Sequence, residues 1–187
     1  MAYRGPVVPL SHVAAFVVTA LILIAVPGPS VLFVIGRSLS LGRRGGLMSV
    51  VGNTLGILPQ LAAVALGVGA VVAKSVLLFQ LVKLAGAAYL VYLGVQAIRH
   101  RHTMVEVAPS EPRATRRLIG QGFLVGLTNP KSIVFFVAVL PQFADPSTGN
   151  LPLQLIALGL IVVMIGLVTD TLWVVAASTA RQWFAHS

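Results

Sequence analysis

Uncharged or nearly uncharged stretches alternate along the chain with short polar ones, and five of the apolar stretches reach the roughly 20 residues a helix needs to cross a bilayer. They cover 13–35, 47–73, 75–98, 118–140 and 153–180. This pattern predicts an all-α polytopic transmembrane helix bundle with five spans. Arg4 before the first run imitates a signal peptide, but the run continues to Ile35 without a small-residue cleavage pattern, so it is read as a retained span. Lys74 and Ser75 mark a tight turn between the second and third spans. The extended polar segment 99–117, with Pro109, Ser110, Glu111 and Pro112, divides a single transmembrane domain into a first half of about 7–98 and a second of 118–187.

Two of the runs are interrupted. Pro27-Gly28-Pro29-Ser30 and Asn129-Pro130-Lys131-Ser132 put helix breakers where a membrane helix would otherwise be continuous. Both are followed by similar residues, Val31-Leu32-Phe33 and Ile133-Val134-Phe135. Proline removes a backbone donor, and lipid cannot satisfy the groups it frees. Broken membrane helices therefore belong where protein or a water-filled cavity surrounds them. A matched pair in the two halves of a chain points to a transporter's binding site. Aligning the motifs gives an offset of 102 residues that crosses three spans, and an odd number of crossings inverts the second copy. The expectation is a 3+3 inverted repeat with its last span missing. Two unrelated proline kinks are the alternative.

Composition agrees with the class. Of 187 residues, 57% are hydrophobic and 9% charged, with a mean hydropathy of +0.97, far from a soluble domain with about a quarter charged residues. There is no cysteine, which excludes disulfides, thiolate metal sites and cysteine nucleophiles. The net charge of +9 is sorted by loop. Arg37, Arg43, Arg44, Arg99, Arg101, Arg113, Arg116, Arg117 and Arg181 fall on one side, and only Arg4 and Lys74 on the other. The positive-inside rule puts the N-terminus outside and the first and third loops in the cytoplasm. The excess charge is thus topological, and no nucleic-acid partner is expected.

Within the spans lie three charged side chains. Lys131, near the centre of its span, is costly there and expected to have a task. That task is to bind a substrate carboxylate, to pair with Asp170, or to lock the broken helix. Asp170 is the only acid within a span, so it is the proton-coupling candidate; contact with a substrate amine or simple neutralisation of a lysine is the alternative. Lys83 is expected to snorkel to the outer interface. A half-helix starting after Pro27, Gly28 and Pro29 aims free amides and a positive dipole end at whatever fills the cavity, which suits a carboxylate, and Ser30 adds a hydroxyl. Asn129, Pro130 and Ser132 do the same from the other half. Gly52 and Gly56 make a small-residue face for close helix packing, with Asn53, Pro59 and Gln60 on or near it as helix glue, cavity lining being the alternative. His100 and His102 lack the further ligands a metal site needs. No catalytic constellation, metal site or cofactor site is expected, so the chain is not read as an enzyme.

These residues also carry a family resemblance. Pro27-Gly28-Pro29 is followed by Gly36-Arg37-Ser38 and Gly42-Arg43-Arg44-Gly45-Gly46, then by Lys83-Leu84-Ala85-Gly86-Ala87-Ala88-Tyr89-Leu90 and Tyr92-Leu93-Gly94. Gly122-Phe123, Asn129-Pro130-Lys131, Leu140-Pro141-Gln142-Phe143 and Asp170 follow in the second half. In this order and spacing the chain resembles the LysE/RhtB family of bacterial amino-acid exporters. The resemblance implies a six-span carrier that expels amino acids such as lysine, homoserine, threonine or leucine, coupled to proton entry. The family's sixth span is absent from this sequence: the polypeptide is a truncated product, a partner protomer in a homo-oligomer fills the gap, or the fold tolerates the loss. A metal-ion or other small-solute carrier, or a truncated non-transporting membrane subunit, is the alternative reading.

Overall fold

The computed structural model describes residues 10–74, 115–145, 147 and 150–185, together with positions 77, 80, 81, 84, 88, 91, 92 and 95. Lys83, Tyr89, His100, His102 and the polar segment through Arg113 lie outside the described residues. The regular elements among them are all helices: α1 (Leu10–Ala25), α2 (Pro29–Lys74), α3 (Thr115–Leu127), α4 (Pro130–Val134) and α5 (Leu151–Ala185).

The first break falls where the prolines predict it. α1 stops at Ala25, residues 26–28 are non-helical, and α2 starts at Pro29, a position where a missing N–H costs nothing. The second interrupts α3 and α4 at Thr128 and Asn129, with a bend of 42°.

The first loop is shorter than expected. Arg37, Arg43 and Arg44 are helical, and the direction change occurs at Gly42, whose φ of 77° is the left-handed region that favours glycine. The two arms of α2, 29–41 and 43–74, fold back on each other there. A Cβ on Gly46 would meet Ser38, and Val34, Val50 and Val174 form one buried cluster. The 46 residues of α2 are therefore a helical hairpin.

The second arm packs between α3 and α5. On the α3 side, Gly52, Gly56, Gly122 and Gly126 bring the two backbones together: a Cβ on Gly52 would lie 2.1 Å from the Ile119 carbonyl oxygen, and one on Gly126 2.1 Å from that of Asn53. The small-residue face read from the sequence is the helix contact. On the other side a Cβ on Gly159 would meet the Leu61 side chain.

Beyond Val134 the helix loosens into a π turn (Phe135–Val139) and a 3-10 turn (Leu140–Phe143). Pro141 explains the change. Its ring collides with the carbonyl four residues back in a regular helix, and the Leu140 N–H instead reaches the Phe135 carbonyl, one residue further. A larger apolar cluster around Phe16, Leu61, Phe135, Phe136, Leu140, Leu155 and Leu158 fills the end of the bundle near the start of α5. Phe16 meets Phe143 edge-on at 5.2 Å between ring centres. Arg37 and Arg181 lie at the opposite end. Arg181 lies against Gly42, and Arg37 donates to Gln121 at 3.0 Å.

Candidate functional site

The two breaks meet. Each leaves carbonyls without their helical donors, and in both cases a side chain from the other half of the chain replaces the donor. At the first break the Lys131 ammonium donates to the Val26 carbonyl, its stem lying over Gly28, where a Cβ would come within 3.0 Å of the lysine Cδ. At the second, Pro130 cannot donate to Gly126, and the Lys131 N–H is taken by the Asn129 side chain at 3.1 Å. The Gly126 carbonyl still accepts the Asn129 N–H at 3.2 Å, and Gln60 Nε2 donates to it and to the Leu127 carbonyl, each at 2.7 Å. A further cross-link joins the breaks directly, from Asn129 Nδ2 to Ser30 Oγ at 2.9 Å.

Between the breaks lies a cavity of about 90 Å3, several times the roughly 10–15 Å3 that one water needs. Its walls come from both halves. Leu23, Ile24, Gly28, Ser30 and Val31 line it from the first break, and Asn129, Lys131, Ser132, Phe135 and Phe136 from the second. α5 contributes Val163, Gly166, Leu167 and Asp170, the stripe that a helix presents at positions i, i+3, i+4 and i+7. The second arm of α2 contributes Asn53, Thr54 and Ile57. The π turn widens the helix where Phe135 and Phe136 reach the cavity; such turns are frequent at functional sites.

Of the residues singled out in the sequence, Gly28, Ser30, Asn129, Lys131 and Asp170 line this space. Pro27, Pro29 and Pro130 do not: they shape the breaks, with Pro29 and Pro130 opening α2 and α4. Lys131 is hydrogen-bonded to the Val26 carbonyl of the first break. It and Asp170 face the same cavity within range of each other's charge but form no direct ion pair. Asp170 is buried, 6% exposed, and accepts from Asn53 Nδ2 at 3.0 Å.

Asn53 and Gln60 divide between the two roles open to them from sequence, cavity lining and helix glue. Both sit on the glycine face of α2, spaced seven apart, yet one lines the cavity beside its acid and the other completes the broken helix. Each also keeps a side-chain oxygen that is buried without a hydrogen-bond partner, Asn53 Oδ1 and Gln60 Oε1. An unsatisfied buried acceptor costs about 1–3 kcal/mol. Among the described residues no group of three or more acidic, histidine or cysteine side chains stands close enough to hold a metal ion.

Known proteins share this architecture's sequence. The chain is 40% identical to an uncharacterized membrane protein of Vibrio cholerae over 151 residues, 81% of this chain and 73% of that protein. It is 32% identical to the homoserine/homoserine lactone efflux protein of Salmonella typhimurium over 169 residues, 90% of this chain and 82% of that protein. With the leucine efflux protein of an Enterobacter strain it shares 31% identity over 138 residues, 72% of this chain and 64% of that protein. No solved structure matches. Residues 21–187 match the family described as LysE type translocator, a stretch that holds both helix breaks, Lys131, Asn53 and Asp170. The chain belongs to the LysE family of translocators.

Proposed function

We propose that this protein is an amino-acid efflux carrier of the bacterial inner membrane, driven by proton entry, with the cavity between the two breaks as its substrate site. The observation that carries the reading is the meeting of the breaks: irregular backbone from each half, cross-linked through Lys131 and Asn129, borders a mostly apolar cavity that holds one acid. Irregular backbone at membrane depth belongs at a cavity, and paired broken helices are a recurrent transporter design. Relatives named for efflux of homoserine, homoserine lactone and leucine support an amino acid as the cargo.

In this reading the halves 7–98 and 118–187 are inverted repeats, and the basic end of the bundle faces the cytoplasm. The substrate carboxylate binds near Lys131, whose ammonium has three donors and uses one on Val26. The first turn of α2 beside Ser30 adds the positive end of its dipole. Asp170 takes up and releases the coupling proton.

The test is efflux of radiolabelled homoserine, threonine, lysine and leucine from preloaded proteoliposomes under an imposed pH gradient, for the native chain and for Asp170→Asn. Gradient-driven efflux of at least one amino acid should fall by about tenfold or more in the variant, the scale of a lost proton-transfer group. Efflux no faster than from protein-free liposomes would refute the carrier reading. A variant that keeps its gradient dependence would remove Asp170 from the coupling role.

A further inference from the structure

Asn53 and Gln60 both hold an orphaned oxygen, but only Asn53 lines the cavity. The amide of Asn53 has one sensible orientation. A carboxylate accepts and does not donate, so the group facing Asp170 must be the NH2, and Oδ1 is what remains. That oxygen calls for a donor. The cation lining the cavity, Lys131, has its ammonium on the Val26 carbonyl, and Asn129 Nδ2 is spent on Ser30. At this polar corner the Asp170 carboxylate has a single amide donor and the buried Asn53 Oδ1 has none, while Lys131 spends one of its three N–H groups on Val26. The walls around it are apolar, including Ile57, Phe135, Phe136, Val162 and Val163. An ammonium group fits this corner chemically: it brings three N–H donors and one positive charge, and the low dielectric of the surroundings strengthens its pairing with a carboxylate.

We infer that Asn53 is a substrate-binding residue whose Oδ1 accepts from the substrate's α-ammonium beside the Asp170 carboxylate, so that the site selects compact primary amines with an apolar body. The inference rests on the efflux reading above and names the group that the site recognises. It ranks the two ends of an amino acid. The amine meets a carboxylate with one amide donor and a carbonyl oxygen with none, whereas the carboxylate meets a lysine that already spends one of its three donors on the backbone. Loss of the amine is therefore more damaging than masking of the carboxylate.

Competition against labelled L-leucine and L-homoserine in proteoliposomes of the native chain tests the ranking without any mutation. For each label the competitors are the unlabelled amino acid, its carboxamide, which keeps the ammonium, and its 2-hydroxy acid, which keeps only the carboxylate. The carboxamide should compete better than the hydroxy acid by roughly a hundredfold, since a site built to bond a polar group rejects analogues lacking it. Asn53→Leu should raise KM by about tenfold with a smaller change in kcat, the signature of lost ground-state binding. Asn53→Thr, which restores an acceptor oxygen, should recover part of that loss. Equal competition by hydroxy acid and carboxamide, or an unchanged KM in membrane-inserted Asn53→Leu, would overturn the inference while leaving the carrier reading intact. Absence of any amino-acid transport by the native chain would overturn both.

Discussion

Gln60 shows how a single side chain can hold a membrane helix open. Pro130 removes the helical donor of the Gly126 carbonyl, leaving it the Asn129 N–H, and the cap at Asn129 takes the Lys131 N–H away from Leu127; the Gln60 amide donates to both carbonyls. Replacing it by leucine keeps the volume and removes the donor. Because polar contacts inside a membrane are worth less on average than hydrocarbon transfer suggests, the expected loss is on the order of 1 kcal/mol. In detergent, Gln60→Leu should lower the thermal midpoint by a few degrees and Gln60→Glu, which at neutral pH keeps no donor, should lower it further. An unchanged midpoint in both would mean that the carbonyls find other donors. Sequence could place Gln60 and Asn53 on a glycine face but not say what lay opposite. The partner of Asn53 is 117 residues away, and only the hairpin at Gly42 and the course of α5 bring the two together. Lys131 stood out in the sequence because of its cost in lipid, yet its hydrogen bond depends on where the Val26 carbonyl points.

At the scale of elements, the breaks were readable because proline acts through covalent geometry, which tertiary context cannot repair. The π turn was not, since Pro141 could equally have ended the helix; packing of Phe135 and Phe136 into the bundle kept it going. The turn at Gly42 was expected as a loop because arginines and glycines cluster there, and helix propensity on both sides reduced it to one residue. The glycine face was legible from spacing alone. Its energetic weight follows from the backbone contact between the second arm of α2 and α3: a methyl group on Gly52 would have to displace the Ile119 carbonyl. Gly52→Ala should therefore destabilise the bundle by about 1–3 kcal/mol, the usual cost of overpacking. Gly120→Ala on the exposed side of α3, where a Cβ meets nothing within 4 Å, should be neutral or slightly stabilising because alanine is the better helix former. Midpoints measured side by side in the same detergent compare the two, and equal midpoints would deny that the α2–α3 contact is close-packed.

The whole molecule has two ends that differ in charge. α1 starts beside the early part of α5, the first arm of α2 finishes beside Val174, and Arg181 closes against Gly42, so these segments run together toward the basic end. The opposite end is held by Gln154, which donates to the Asp145 carbonyl and accepts from the Asp145 N–H, both at 2.8 Å. The sequence contains no cysteine, so single cysteines can be added without removing any. Arg44→Cys, Arg116→Cys and Arg181→Cys should react with a membrane-impermeant maleimide in inverted vesicles and stay unlabelled in intact cells. Ser147→Cys, two residues past Asp145, should show the reverse. The two kinds of failure separate cleanly. If all four cysteines label with opposite sidedness, the fold stands and the positive-inside assignment is wrong. If Arg44→Cys and Arg181→Cys label from different sides, the contact between Gly42 and Arg181 does not exist in the membrane, and the hairpin that brings Asn53 to Asp170 falls with it.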